Sequence, residues 1–462
     1  QIVTETHPKA KVACIGPAGE NLVLFSAIMN DKGRAAGRSG VGAVMGSKNL
    51  KAVAVRGNEA VVVRDKTELK KTHEKIMVQV KEHLRTGQNS HALYGTTAAV
   101  SAMNSVWSLP TKNHQLGKFE KWEGGIHEEF KEKYFVKKKS CFACPIGCGR
   151  VSKVKEPGYE GEGEGPEYET LYAMGSNCMI DNLPAIIKAN YLCNELGMDT
   201  ISMGCTVACA MELVDRGYLS EDEIGQPLRW GDGDALIEMT RKTAYREGFG
   251  DVLAQGSYRM ADRYGHPELA MVSKKQDFAG YEPRSLQAMG LAFATSPIGA
   301  SHMRGDTGYW ELTGGPAKVD ALTRNGKGRM VKICQDLFSI IDASGVCVFF
   351  AIRYLVNKSE IAEPVGILDY LNAVTDADYT LDELLKAGER IFNAERKFMV
   401  EAGFSRKDDA LPLRTIHEPL PDGPAEGYVC HLDEMLDDYY LYRGWTKDGI
   451  PKEETLKRLN LI

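Results

Sequence analysis

Three thiols fall within eight residues of this chain, in Cys141-Phe-Ala-Cys144-Pro-Ile-Gly-Cys148. Thiolates packed this closely repel one another and oxidise readily, so a chain that keeps them generally does so around a metal. The C-x2-C-x3-C spacing narrows which metal. A zinc ribbon wants two C-x2-C pairs about 15–20 residues apart, and no second pair is present. Three close thiols with a fourth from further along suit an iron–sulfur cluster, in which nearby N–H groups tune the potential. The spacing by itself leaves iron–sulfur, zinc and no metal open. Lys137-Lys-Lys139 runs into the cluster and would offset part of its negative charge.

The other cysteines of the eleven are scattered. An odd, scattered set does not read as a disulfide framework; it fits a reducing cytosol, with some thiols on metal and the rest buried as small hydrophobes. Cys205 and Cys209, four apart on a predicted helix, read as core packing. A net charge of -6 gives no reason to expect nucleic acid, and no run of about 18 apolar residues suggests a membrane span. Gln1 is not an initiator Met and residues 1–10 lack a signal peptide's apolar stretch, so the chain reads as starting part-way through something, or as processed.

Val12–Ile15 and Ala52–Val55 are short β-branched runs bounded by glycine. Between them lies Gly37-Arg-Ser-Gly40-Val-Gly42-Ala-Val-Met-Gly46-Ser-Lys48. It is neither a Walker loop, because Lys48 follows Ser47, nor a dinucleotide fingerprint, because Met45 stands where glycine is needed. It suggests an anion-binding loop or simply a tight turn. From about residue 65 the pattern is helical and strand signal is sparse. Thr67–Leu84 is amphipathic through Leu69, His73, Ile76, Val80 and Leu84. Asp181 and Asn182 cap a helix carrying Ile186, Ala189, Cys193 and Leu196, and Gly197 stops it. Further helices are predicted over about 200–216 and 330–343. Polar residues before Gly280-Tyr-Glu-Pro283 suggest a boundary within 265–280.

Two helix junctions share one pattern, Asn/Asp-x-x-Gly-apolar-Asp/Cys: Asn194-Glu-Leu-Gly197-Met-Asp199 and Asp342-Ala-Ser-Gly345-Val-Cys347. Such a junction exposes backbone N–H groups and a side-chain acceptor to a bound heterocycle, and two copies suggest two similar ligand halves. Gly161-Glu-Gly-Glu-Gly-Pro166-Glu-Tyr-Glu169-Thr170 reads as an acidic loop entering a helix. Ser296-Pro-Ile-Gly-Ala-Ser-His302-Met-Arg304 sets a histidine after a small-residue turn. A carboxylate and a histidine brought together could supply acid–base chemistry.

With Ile15-Gly-Pro-Ala-Gly-Glu-Asn-Leu22 and Arg34-Ala-Ala-Gly37 through Lys48, these stretches resemble the tungsten-dependent aldehyde:ferredoxin oxidoreductases along essentially the whole chain. The resemblance implies aldehyde oxidation to the carboxylic acid at a tungsten bis-pterin, with molybdenum as an alternative metal and magnesium at the pterin phosphates. It implies a 4Fe–4S cluster on Cys141, Cys144, Cys148 and Cys347. One pterin would lie at Asn194, Gly197, Met198 and Asp199, the other at Asp342, Gly345, Val346 and Cys347. Arg34, Ala35, Gly37 and Arg38 would line the phosphate side. Glu169 and His302 match the pocket pair that handles protons, with Tyr168 beside them.

The expected architecture is mainly α with a small N-terminal β portion, the remnant of a β platform, and two helical domains: residues 1–62, 63–272 and 273–462. The expected partners are a small aldehyde and a ferredoxin or iron–sulfur subunit, in a cytoplasmic homo- or hetero-oligomer. Two departures stand out. Family members carry further platform residues ahead of the Ile15 stretch, so the chain reads as a fragment or as relying on a platform from elsewhere. Asn194 replaces the usual aspartate and lacks its charge. Rival readings are an aromatic acyl-CoA reductase of the same superfamily, an electron-transfer subunit with an empty pocket, and a zinc-stabilised helical binding protein.

Overall fold

The structure is a computed structural model that describes residues 5–313, 319–357, 359 and 361–462. The two β-branched runs are strands, β1 (Lys11–Ile15) and β4 (Ala52–Val55), joined by β2 (Ile28–Asn30) and β3 (Arg34–Ala36) in an antiparallel sheet of order β3-β2-β1-β4. The glycine-rich stretch is a turn followed by a short helix, α1 (Val41–Ser47). Its glycines are consumed by packing. Gly40 sits at φ +68, and a Cβ on Gly42 or Gly46 would strike the backbone of Ser26–Ala27 or Gly19. Only Gly37 faces open space, its nearest neighbour being the Ala35 methyl at 3.9 Å. An anion-binding role for the whole loop is therefore narrowed to residues 34–39.

Helix α2 (Lys66–Arg85) is capped by Asp65, and Thr72, Ile76 and Val80 are its buried positions. His73, expected on that face, is instead exposed and meets the Tyr370 hydroxyl at 3.2 Å. Helix α3 (Ile126–Lys133) then leads into a sheet that sequence periodicity did not reveal: β5 (Phe135–Lys139), β6 (Gly149–Val154) and β7 (Gly161–Glu164), antiparallel in that order. Lysine and glycine have low strand propensity, so Lys137–Lys139 and Gly161–Glu164 hid the signal. The stretch expected to be an acidic loop is thus strand β7, and the cysteine motif is the loop joining β5 to β6.

The first turn of α4 (Tyr168–Met174) follows β7. Helices α5 (Leu183–Leu196) and α6 (Thr200–Asp215) come next, the first capped by Asn182 and ended by Gly197 in the left-handed conformation. Helix α6 is apolar on every side and buried from Ile201 to Leu213, as a core helix must be. Cys205 and Cys209 lie within it. The tight hairpin β8 (Val272–Ser273) and β9 (Gln276–Asp277) precedes α7 (Gln287–Thr295), α8 (Lys327–Ser344), α9 (Val348–Tyr354), α10 (Leu381–Glu401) and α11 (Leu432–Arg443). One contiguous apolar core reaches from Ala18 to Trp445. No single described helix is long and apolar enough to cross a membrane; α8 and α9 pass that test only as a pair bent by 117°.

Candidate active site

Glu169 lies in the first turn of α4, where the helix dipole favours a carboxylate. Its Oε2 accepts the Gly280 N–H at 2.9 Å. The neighbouring Tyr168 hydroxyl donates to the Gly280 carbonyl. One backbone unit is thus gripped from both sides by adjacent side chains. His302, in the turn after α7, places Nε2 3.7 Å from Glu169 Oε1, and the two side chains are 15% and 16% exposed. Glu169 Oε1 and His302 Nδ1 are buried and without a hydrogen-bond partner. Two buried polar atoms left unsatisfied are costly unless something completes them.

Burial decides the protonation of both groups. It pushes Glu169 up to about 8 against the Gly280 N–H and the Arg38 charge, with Asp306 and Asp199 adding to the rise. It pushes His302 down to about 3, helped by Arg38. At neutral pH the carboxyl holds a proton, the reverse of its ordinary state, and the imidazole stays neutral even in mild acid. Two groups not singled out from the sequence complete the pocket. Tyr281 lies between Tyr168 and His302, with ring centroids 6.1 and 5.8 Å away, and its hydroxyl donates to Asp306 Oδ2 at 3.2 Å. Burial raises Asp306 to about 6. Asp306 follows His302 by four residues, a spacing that could have marked it.

Arg38 is the tie of the pocket floor. Its guanidinium donates to Asp199 Oδ2 at 3.3 Å, to the Ala300 carbonyl at 2.8 Å and to the Asp277 carbonyl at 2.5 Å. It thereby joins the β1–β4 platform to α6, β9 and the turn before His302. Asp199 also caps α6, accepting from the Ile201 and Ser202 N–H groups at 3.1 Å each. Gly197 is pinned to the platform: the Ala27 N–H donates to its carbonyl at 2.8 Å, and Met198 bridges to Ser26. Asn194 Nδ2 donates to the Glu164 carbonyl at 3.1 Å, a bond that the aspartate expected at this place could not make.

The second junction is open. Asp342, Gly345 and Cys347 are exposed, and no atom lies within 4 Å of a Cβ built on Gly345. Asp342 accepts from Arg304 Nη1 at 2.7 Å, and Arg304 Nη2 reaches Glu395 at 2.5 Å. Arg304 Nε is buried and unpartnered.

Cys347 comes to the cysteine loop. Burial above all, then Glu167, Cys347 and Cys141, push the Cys148 thiol up to about 12, with Arg34 opposing. Burial works against the Arg34 charge, but Glu164, Cys141, Glu167 and Cys148 outweigh it. Arg34 pairs with Glu164 at 2.5 Å, and Glu164 also holds Lys139 at 2.5 Å. All four thiols are free. Among the described residues no three His, Cys, Asp or Glu side chains converge as they would on one metal ion. Four soft sulfur donors beside two arginines, Arg34 and Arg150, match the chemistry of an anionic iron–sulfur cluster. Glu167 sits between the two sites. It precedes α4, takes the Thr96 hydroxyl and lies near both arginines, two residues from Glu169. One helix end thus looks toward the thiols with Glu167 and toward the pocket with Glu169.

The site brings a buried carboxyl–imidazole pair and four free thiols to the two sides of Glu167. The sequence profile described as "Aldehyde ferredoxin oxidoreductase, domains 2 & 3" matches residues 71–461, and that for the "N-terminal domain" matches residues 1–57. The chain belongs to the aldehyde ferredoxin oxidoreductase family. It is 45% identical over 457 residues to the tungsten-containing aldehyde ferredoxin oxidoreductase of Pyrococcus furiosus, a match covering 96% of this chain and 73% of that one. It is 44% identical over 477 residues to the protein of the same description from Pyrococcus abyssi, covering 100% and 76%. The aliphatic sulfonate oxidoreductase WOR-like subunit of Pyrococcus furiosus is more distant, at 30% over 471 residues, covering 97% and 69%. Among solved structures, the active-site complex BamBC of benzoyl coenzyme A reductase with 1,5-dienoyl-CoA superposes with a TM-score of 0.79. It covers 100% of this chain and 75% of that chain at 21% identity, a likeness of fold alone.

Proposed function

We propose that this chain oxidises aldehydes, reversibly, to carboxylic acids, its electrons leaving through a 4Fe–4S cluster to ferredoxin or an iron–sulfur partner subunit. Relatives at 44–45% identity carry that activity in their names. The aromatic acyl-CoA reductase reading is supported only by a fold likeness at 21% identity. The observation that carries the proposal is the Glu169–His302 pair, two buried groups 3.7 Å apart, each with an unsatisfied atom, the carboxyl held protonated and the imidazole neutral at neutral pH.

The residues fit the groups that the family implies. Cys141, Cys144, Cys148 and Cys347 would hold the cluster. Asn194–Asp199 and Asp342–Cys347 would each hold one pterin of a tungsten bis-pterin. Arg34, Ala35, Gly37 and Arg38 would face its phosphates and magnesium. Bound there, the tungsten and the cluster would supply the two-electron and one-electron redox chemistry that aldehyde oxidation needs. Glu169, once ionised, takes the proton lost as the aldehyde hydrate becomes an acid. In its protonated form it donates to the carboxylate oxygen in the reverse direction. Neutral His302 orients the same oxygen, since its Nε2 lies just beyond direct hydrogen bonding to Glu169 and is free to turn to a third atom. Tyr168 holds Gly280 in place to receive Glu169, which makes it a positioning residue. A cytoplasmic location and a homo- or hetero-oligomer belong to the same reading.

Because the forward step needs ionised Glu169, aldehyde oxidation rises with pH through about 8 in the wild type. Glu169→Gln keeps size and hydrogen bonding but removes the base. It lowers turnover with an artificial dye by about 10²–10⁴-fold at unchanged tungsten and iron content. Wild-type rates in that variant would rule out its role.

A further inference from the structure

The loop that carries three of the thiols ends in an unusual surface. Phe142, between Cys141 and Cys144, is 100% exposed, and Ser140, Cys141 and Ala143 are exposed around it. A fully exposed aromatic side chain is costly to leave in water and is the residue type enriched where partners dock. The adjoining strand β5 is the edge of its sheet and is exposed at Val136, Lys137 and Lys138. Of the lysines thought to balance a cluster, only Lys139 is engaged, with Glu164 and the Asp31 carbonyl. Lys137 and Lys138 have no carboxylate partner among the described residues. Burial, then Arg150 and Lys131, lower the Lys138 pKa, so its closest charges repel it.

The charge here runs against the rest of the molecule. The chain is net -6, yet Lys133, Lys137, Lys138, Lys139, Arg150, Lys153 and Lys155 follow one another with no Asp or Glu between them. The acids that flank this run are Glu132 on α3, which is exposed, and Glu156, which accepts the Tyr134 hydroxyl at 2.9 Å; Glu129 pairs with Lys133 at 2.9 Å and Glu162 of β7 with Lys153 at 3.0 Å, which leaves Lys137 and Lys138 unbalanced. Exposed lysine on an edge strand is also a common guard against sheet-to-sheet pairing. That role explains neither the bare Phe142 nor the placement of both beside the thiols.

We propose that Phe142 and the Lys137–Lys138 edge form the docking face for an acidic electron-carrier protein of the ferredoxin class, which meets the cluster at Cys141. The proposal rests on the reading of the four thiols as a 4Fe–4S site. Each aldehyde oxidised with one water gives a carboxylic acid, two protons and two electrons, so two one-electron carriers are reduced in succession at this face. The lysines steer the acidic carrier, and Phe142 supplies apolar contact at the point of closest approach.

The test is Lys137→Glu/Lys138→Glu, with both proteins reduced by dithionite and mixed in stopped flow with an acidic ferredoxin, so that no aldehyde chemistry is involved. At low salt the second-order rate of the wild type exceeds that of the variant by about 10-fold or more, and salt reduces the wild-type rate while leaving the variant's nearly flat. Cluster absorbance and dye-linked aldehyde turnover are unchanged in the variant. Equal ferredoxin rates in the two proteins, or no transfer from the wild type, overturn the docking face. Loss of dye-linked turnover in the wild type would instead speak against the aldehyde reading. Phe142→Ala, with its cluster absorbance intact, weakens transfer without changing the salt slope; a changed slope and unchanged rate would count against its contact role.

Discussion

Helix junctions 194–199 and 342–347 carry the same residue pattern, and each ends a helix at a left-handed glycine, φ +80 at Gly197 and φ +70 at Gly345. Beyond that they diverge. At the first, a Cβ on Gly197 would lie 2.9 Å from the Gly16 nitrogen, so backbone rests on backbone. At the second, nothing lies within 4 Å. The residue that opens the next helix differs in kind. Asp199 spends its carboxylate on the cap of α6 and on Arg38. Cys347 occupies the same position before α9 and makes no side-chain cap. Thiols are poor hydrogen-bond acceptors, so the Cys347 side chain is not consumed by the helix as an aspartate would be. The first junction is a fixed floor and the second an open wall, although their sequences read alike.

Three pairs of substitutions test that contrast. The largest difference is expected between Arg38→Ala and Arg304→Ala. Arg38→Ala strands Asp199 and two carbonyls in a buried site and costs about 3–5 kcal/mol. Arg304 faces the partly exposed Asp342 and Glu395, and its loss costs about 1 kcal/mol. Denaturant midpoints measure both, and equal losses would break the distinction between floor and wall. Next, Gly197→Ala meets both the left-handed φ and the Gly16 backbone and costs more than about 2 kcal/mol, whereas Gly345→Ala meets the φ alone at about 1 kcal/mol. The smallest effect compares Asn194→Asp with Asp342→Asn. The former removes the donor to the Glu164 carbonyl and sets a carboxylate against it, at about 1–2 kcal/mol. The latter keeps a hydrogen bond to Arg304 and changes stability by less than about 1 kcal/mol. A stabilised Asn194→Asp would mean that its bond to β7 carries no weight.

Much of the site was legible because its signals are local. Cysteine spacing, glycine stops and cap residues depend on a few neighbouring bonds, and Gly197, Gly345, Asn182 and the strands at 11–15 and 52–55 follow from them. Strands β5 and β7 were not legible, since lysine and glycine carry no strand pattern and the sheet exists only through pairing with β6. The glycines of 37–46 misled in part: the same residue type permits close approach of a ligand or of another segment of backbone, and three of the four marked glycines serve the second purpose.

By itself the sequence determined the chemistry available to this protein: four thiols, a carboxyl, an imidazole and two repeated helix junctions. Only the tertiary structure decided what each would be. Burial kept Glu169 protonated and His302 neutral, because desolvation depends on what surrounds a group and not on its neighbours in the chain. The same packing sealed one junction, opened the other, and left Phe142 and two lysines bare beside the thiols. Those outcomes arise from contacts hundreds of residues apart, such as Arg38 with Ala300, which no local pattern encodes.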